Sequence, residues 1–293
     1  MSIKNNALLV SLSVSKPTLT QKDHKATDDA EAANNAHGAG HYRKNLYPKH
    51  LIQPIMTIES SARAFIEANT YMWNRGEYLL PTTKFMEFTQ NIGTYELQFS
   101  QAVTAFLNNW SNVMLQAQQT QGDMFDPTAY PDTSTLKDDF RFKVVYRPVT
   151  DATDFRVQME SEEIDALREQ VERETKESMD NLLKAPLRRL QAVMEKLKEV
   201  TGKADREVVN KKTGALEMKP PLFRDSAVDN ITYEIDLLRA FVDVLPDSIQ
   251  KLATSVSDTV PHPQQLRDDP VKRQEVHVQS AALLDLINGM LDD

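Results

Sequence analysis

Cysteine is absent from the 293 residues, glycine occurs eight times and tryptophan twice. Without a thiol there is no disulfide framework, no thiolate zinc site, no iron–sulfur cluster and no Cys nucleophile. The glycines, at 38, 40, 76, 93, 122, 202, 214 and 289, never fall into G-x-x-x-x-G-K-[ST] or G-x-G-x-x-G. A P-loop or Rossmann phosphate site needs glycine at those spacings to bring backbone amides onto phosphate oxygens, so both readings lose their basis. Neither G-x-S-x-G nor H-E-x-x-H occurs, which removes the main support for a serine hydrolase or a zincin. There is no apolar run of about 18 residues, and the apolar stretch 7–14 lacks the length and cleavage context of a signal peptide. A soluble, cytoplasmic protein with no membrane association is expected.

The residues that are present favour helix. Forty per cent are apolar, enough for a core, while 43 acids against 34 Lys/Arg give a net charge of −9. That balance restricts any phosphate binding to a local basic patch. Residues 8–14 alternate apolar and polar as a half-buried strand does, and Pro17 ends the pattern. Thr18 or Thr20 is placed to cap an alanine-rich helix reaching about Ala36, and the Gly-Ala-Gly at 38–40 predicts a loop. Ile52, Ile55, Ala62, Phe65, Ile66, Asn69 and Met72 predict a helix over 48–73, begun near or kinked at Pro54.

The clearest periodic run is Phe85, Phe88, Ile92, Tyr95, Phe99, Ala102 and Phe106, continued by Trp110 and Val113. Its 3-4 alternation is a heptad and predicts one unbroken helix over 83–121, about 55 Å long. Phe85, Phe88, Tyr95, Phe99 and Phe106 form a stripe with two readings, an interior seam covered by the 48–73 helix or an interaction seam between copies. Turn residues fill 122–139. Alternation then returns in 140–146 and 155–159, a hairpin that with 8–14 makes a small antiparallel sheet. A long helical region over 160–200 follows, with a kink or break at Pro186. Residues 202–221 read as a basic hairpin or loop, and helices are expected from 225 to 245, from 246 to the Pro261-His-Pro263 stop, and through the C-terminal segment.

The fold class expected is mainly α: an elongated bundle of long antiparallel helices with a two- or three-stranded antiparallel sheet. Residues 1–159 and 160–293 form its two parts, joined as one continuous elongated unit.

Two constellations could carry chemistry. His24, His37 and His41 cluster in sequence, but the intervening glycines oppose a shared helical face and no acid completes a ligand set, so neither metal nor cofactor is assigned. Arg141, Lys143, Arg147 and Arg156 share the polar face of the hairpin, and Lys211 and Lys212 lie in the basic loop. Together they could track a single-stranded DNA backbone. The leading expectation is instead a non-enzymatic, self-associating helical interaction or adaptor protein.

Strand 8–15, the segment 64–80, the turn 125–130, strand 140–148 and the paired heptad helices together resemble a loosely defined family of uncharacterised helical proteins from tailed bacteriophages and proteobacterial mobile elements. Some of its members are encoded beside MoxR-type AAA+ ATPases. The resemblance covers most of the chain and implies an adaptor role in a host cytoplasm, with an AAA+ ATPase as one partner. It carries no catalytic residue.

Overall fold

The computed structural model describes residues 3–149, 161–209, 216–219 and 226–292. Helix accounts for 69% of the described residues, in eleven α-helices and three short 3-10 turns, and the remaining regular structure is antiparallel sheet. The mainly α expectation holds.

In chain order the elements begin with α1 (Ile3–Asn6), β1 (Ala7–Ser15), β2 (Thr20–Lys22) and α2 (His24–Ala33). They continue through β3 (Arg43–Asn45), α3 (Lys49–Asn69), β4 (Tyr71–Asn74), β5 (Glu77–Pro81), α4 (Phe85–Asn108), α5 (Trp110–Gln121), α6 (Thr133–Asp139) and β6 (Arg141–Pro148). The second half contains α7 (Ser161–Thr201), β7 (Arg206–Val209), β8 (Leu216–Lys219), α8 (Ser226–Ala240), α9 (Asp247–Thr259), α10 (Pro263–Asp268) and α11 (Pro270–Asp292).

Four strands form one sheet in the order β4-β5-β1-β6, so the first strand does lie beside the 140–146 strand as its alternation predicts. The proposed third member, 155–159, lies outside the described residues. The place beyond β1 is taken instead by the β4–β5 hairpin, whose Arg75-Gly76 turn uses a φ of +80° at Gly76. That conformation is open to glycine without the Cβ penalty. Two further two-stranded sheets pair β2 with β3 and β7 with β8.

Several expected boundaries move. Helix α2 starts at Asp23 rather than at a threonine, because the Asp23 carboxylate accepts the Ala26 amide at 2.9 Å while Thr20 is already in β2. Helix α3 stops at Asn69, and Tyr71–Asn74 becomes β4. The 83–121 helix is not continuous. It divides at Asn109, where φ and ψ are −94° and 16°. Conversely, α7 runs as one helix of 41 residues through Pro186, so two helices end to end is not the arrangement.

The contacts gather the chain into two units. Unit 1 comprises Met1–Leu9, Asn69–Phe85 and Arg147–Asp293, and unit 2 comprises Val10–Ala68 and Met86–Tyr146. This grouping differs from a cut after residue 159. Unit 1 is centred on the stripe of Leu182, Leu187, Leu190, Met194 and Leu197 on α7, packed with Val276, Leu284 and Ile287 of α11 and with Ile231, Ile235 and Leu238 of α8. Each of these side chains is at most 5% exposed. Unit 2 gathers Ile52 and Ile55 of α3, Phe99, Val103 and Phe106 of α4, Val113 of α5 and Leu136 of α6.

Candidate interaction surfaces

The aromatic stripe is committed to the interior of unit 2 over most of its length. Phe88, Phe99 and Phe106 are 2%, 3% and 4% exposed. Phe65 of α3 meets Phe88 and Tyr95 with ring centroids 5.3 and 5.7 Å apart. Phe99 meets Phe142 of β6 at 5.4 Å, and Phe106 meets Tyr47, Phe140 and Trp110 at 5.7, 5.9 and 6.0 Å. Offset and edge contacts of this kind add to the burial energy of each ring. Phe85, which falls in unit 1, is half-buried, as is Tyr95. An interaction seam built from Phe88, Phe99 and Phe106 is therefore corrected: these rings are already spent on their own unit. Burial, with the Tyr130 and Asp139 charges, pushes the Tyr47 phenol up to about 12.

The basic residues are only partly brought together. Arg141 and Lys143 are exposed on β6, in unit 2. Arg141 Nε donates to the Asp138 carbonyl at 3.1 Å. Arg147, in unit 1, pairs with Glu77 Oε1 at 3.0 Å, so one carboxylate already neutralises it. Arg156, Lys211 and Lys212 lie outside the described residues.

The histidines do not converge on a ligand. His24, His37 and His41 are all exposed, and among the described residues no three His, Cys, Asp or Glu side chains could hold a metal ion. His24 borders a cavity of about 780 Å³ with Asp23, Lys44 and Asp126. Lys44 is 8% exposed and donates to the Met124 carbonyl at 2.8 Å, with Asp23 Oδ2 at 3.9 Å. The acids here serve the backbone. Asp23 caps α2, and Asp126 accepts both the Thr128 hydroxyl at 2.7 Å and its amide at 2.9 Å, which hold the Asp126 carboxyl below the usual range.

A second cavity, of about 500 Å³, lies at the C-terminal end of α7 and is lined by Glu195, Lys198, Glu199, Gly202, Lys203 and His277 among others. The His277 ring approaches the Lys198 carbonyl with Nδ1 at 3.0 Å, where the helix macrodipole is negative and a ring donor is favoured. Hydrogen bonds from Lys196 and Lys203 bring the Glu199 carboxyl down to about 2.

Comparison of the chain with family models, with curated proteins and with solved structures returns no match.

The features that a sequence reading missed are on the far sides of the helices. Helix α11 buries Val276, Leu284 and Ile287 yet also turns Val271, Val278 and Leu286 outward, 78%, 58% and 52% exposed. Their spacings of seven and eight put the three on one face. Helix α4 does likewise with Met86 and Leu97, 76% and 59% exposed. Apolar residues off the inward period were the only signal for these faces.

Proposed function

We propose that the protein is a non-enzymatic helical interaction protein, an adaptor that associates with further copies of itself. The observation that carries the reading is the outward apolar side chains on helices whose opposite faces already fill a core. A helix that serves only its own core has one apolar face and a charged or polar one, and α11 departs from that pattern. The two polar cavities support the same reading, because their capping carboxylates and the His277 ring are already bonded to backbone groups. The resemblance to the phage and mobile-element family supports an origin on such an element, work in a host cytoplasm, and an AAA+ ATPase as the larger partner. Co-expression of two differently tagged copies tests the reading. Capture of one tag is expected to retain the other after nuclease treatment, and failure to retain it would remove self-association.

A second reading, binding of single-stranded nucleic acid, is favoured by the exposed cations Arg141 and Lys143 on one face of β6. Such binding weakens steeply with salt, because each phosphate contact releases counterions. A labelled oligonucleotide that shows no shift at low salt eliminates it.

A further inference from the structure

We infer that the cavity beside β3 in unit 2 binds a ligand carrying an α-carboxylate and a cationic side chain, either a basic residue at the carboxyl end of a peptide or a free basic amino acid. The inference goes beyond self-association and does not depend on it. The cavity, of about 780 Å³, is formed by β2, α2, Tyr42, Lys44 of β3 and the segment 123–126. All of these belong to unit 2. A volume of that size is in the range of small-molecule sites.

Lys44 is the residue that points to a ligand. Its side chain is 8% exposed, and lysine is almost never buried this far unless it is paired. An ammonium has three N–H donors. The Met124 carbonyl accepts one at 2.8 Å, while Asp23 Oδ2, at 3.9 Å, is beyond hydrogen-bond reach. Among the described residues, two donors of a desolvated cation are thus left without an acceptor. Met124 and Asp23 both line the cavity, so the ammonium lies at its wall. A carboxylate entering there supplies the missing acceptors through charge-assisted hydrogen bonds. The start of α2 adds to the attraction. Asp23 caps the Ala26 amide, but the amides of His24 and Lys25, two further lining residues, have no partner within their helix.

The rest of the lining selects what else the ligand carries. Four aspartates and three lysines surround the cavity, so a phosphate dianion would meet more like than unlike charge. A ligand with one carboxylate and one cation is matched in both signs. Asp23 and Asp126 are already bonded to backbone amides. Asp29 and Asp123 are exposed, and among the described residues neither pairs with a cation, so they are the carboxylates open to the ligand's side chain. Phe125, half-buried in the same lining, offers a ring against which side-chain methylenes or a guanidinium can rest.

The test is an NMR titration of the full chain with acetyl-Gly-Gly-Arg, with the same peptide ending in a carboxamide, and with free arginine. The free-acid peptide or arginine is expected to bind with a dissociation constant below about 1 mM and to shift the amide signals of His24, Lys25 and Met124. The carboxamide is expected to bind at least about tenfold more weakly. Tighter binding of the tripeptide than of arginine assigns the site to a peptide end, and the reverse order assigns it to a free amino acid. Lys44→Met, checked for folding by circular dichroism, is expected to bring acid and carboxamide to the same weak affinity. Asp29→Asn/Asp123→Asn is expected to weaken acetyl-Gly-Gly-Arg while leaving acetyl-Gly-Gly-Gly unchanged. The acid and carboxamide are compared on the unaltered chain, so that comparison decides even where Lys44→Met fails to fold. Equal affinity for the two overturns the inference, as does the absence of any shift with all three compounds at about 10 mM.

Discussion

Arg189 on α7 donates from Nη2 to Glu234 Oε1 on α8 at 2.7 Å, and its guanidinium carbon stands 5.4 Å from the centre of the Tyr71 ring on β4. The same guanidinium donates from Nη1 to the Thr70 carbonyl at 3.2 Å. One side chain thus fastens two helices and a strand of unit 1. Tyr71 is 1% exposed and packs, tilted, against Phe241 with ring centroids 4.8 Å apart, and its burial pushes the phenol above its ordinary value although Arg189 opposes the rise.

Removing Glu234 takes from Arg189 a carboxylate that its contacts with the Thr70 carbonyl and the Tyr71 ring do not replace. Glu234→Leu is expected to cost about 2 to 3 kcal/mol, because it leaves a largely desolvated guanidinium without its carboxylate. The double variant Arg189→Met/Glu234→Leu is expected to lie within about 1 kcal/mol of wild type. Urea unfolding of both variants checks the difference, and equal losses in the two would show that the pair is not the fastening.

Acid sensitivity is expected in unit 2 at Glu59. Burial alone would raise its carboxyl, but hydrogen bonds from Lys16 and Arg63 outweigh burial and hold it below the usual carboxylate range. A depressed carboxyl stabilises the fold above its unfolded value and loses that contribution as pH falls through the folded one. Stability is expected to fall below about pH 4, and Glu59→Gln is expected to flatten that part of the profile. Thermal midpoints measured across acid pH decide it.

At the other end of the scale Tyr47 acts in reverse. Its folded value of about 12 lies above the unfolded value of 10, so the folded state keeps the proton that the unfolded chain gives up. Its contribution is complete below pH 10 and declines as pH rises toward 12. Ultraviolet titration is expected to show a late phenolate step that coincides with loss of the near-ultraviolet dichroism of unit 2. Tyr47→Phe removes that step.

At the end of α7 a methyl group is enough to disturb the structure. A Cβ on Gly202 would stand 2.7 Å from His277 Cε1, 2.9 Å from its Nδ1 and 3.2 Å from the Lys198 carbonyl. Gly202→Ala is expected to destabilise by about 1 to 3 kcal/mol, the range for overpacking. His277→Ala in the same chain is expected to recover most of that loss, which differential scanning calorimetry would read directly.

The interior reading of the aromatic stripe has its own consequence. Phe106→Ala, at a site 4% exposed, is expected to cost about 3 to 5 kcal/mol and to leave the assembly state of the folded fraction unchanged. A stripe used between copies would give the opposite result, intact monomers that no longer associate.

These residues also show what the sequence made legible. Periodicity placed the cores well. The long helix expected over 160–200 is there as α7, and Pro246 is the N-cap residue of α9, where the expected helix begins. Sites built from distant partners stayed hidden. Nothing near Arg147 announces Glu77, 70 residues away, and nothing near Arg189 announces Tyr71. Competition between local signals explains the misplaced boundaries. Met72 continues the helical spacing of α3, but the Arg75-Gly76 turn pulls Tyr71–Asn74 into a hairpin, and tertiary pairing prevails over period.

The interleaving of the two units sets an order on synthesis. Residues 10–68 and 86–146 have all left the ribosome while most of the third segment of unit 1, Arg147–Asp293, is still untranslated. Unit 2 can close as soon as it emerges. Ala7 and Leu9 belong to the same buried cluster as Leu190 and Val276, so that cluster is complete only after the second half of the sequence is translated. Ala7 and Leu9 are thus translated long before much of the cluster in which they are buried.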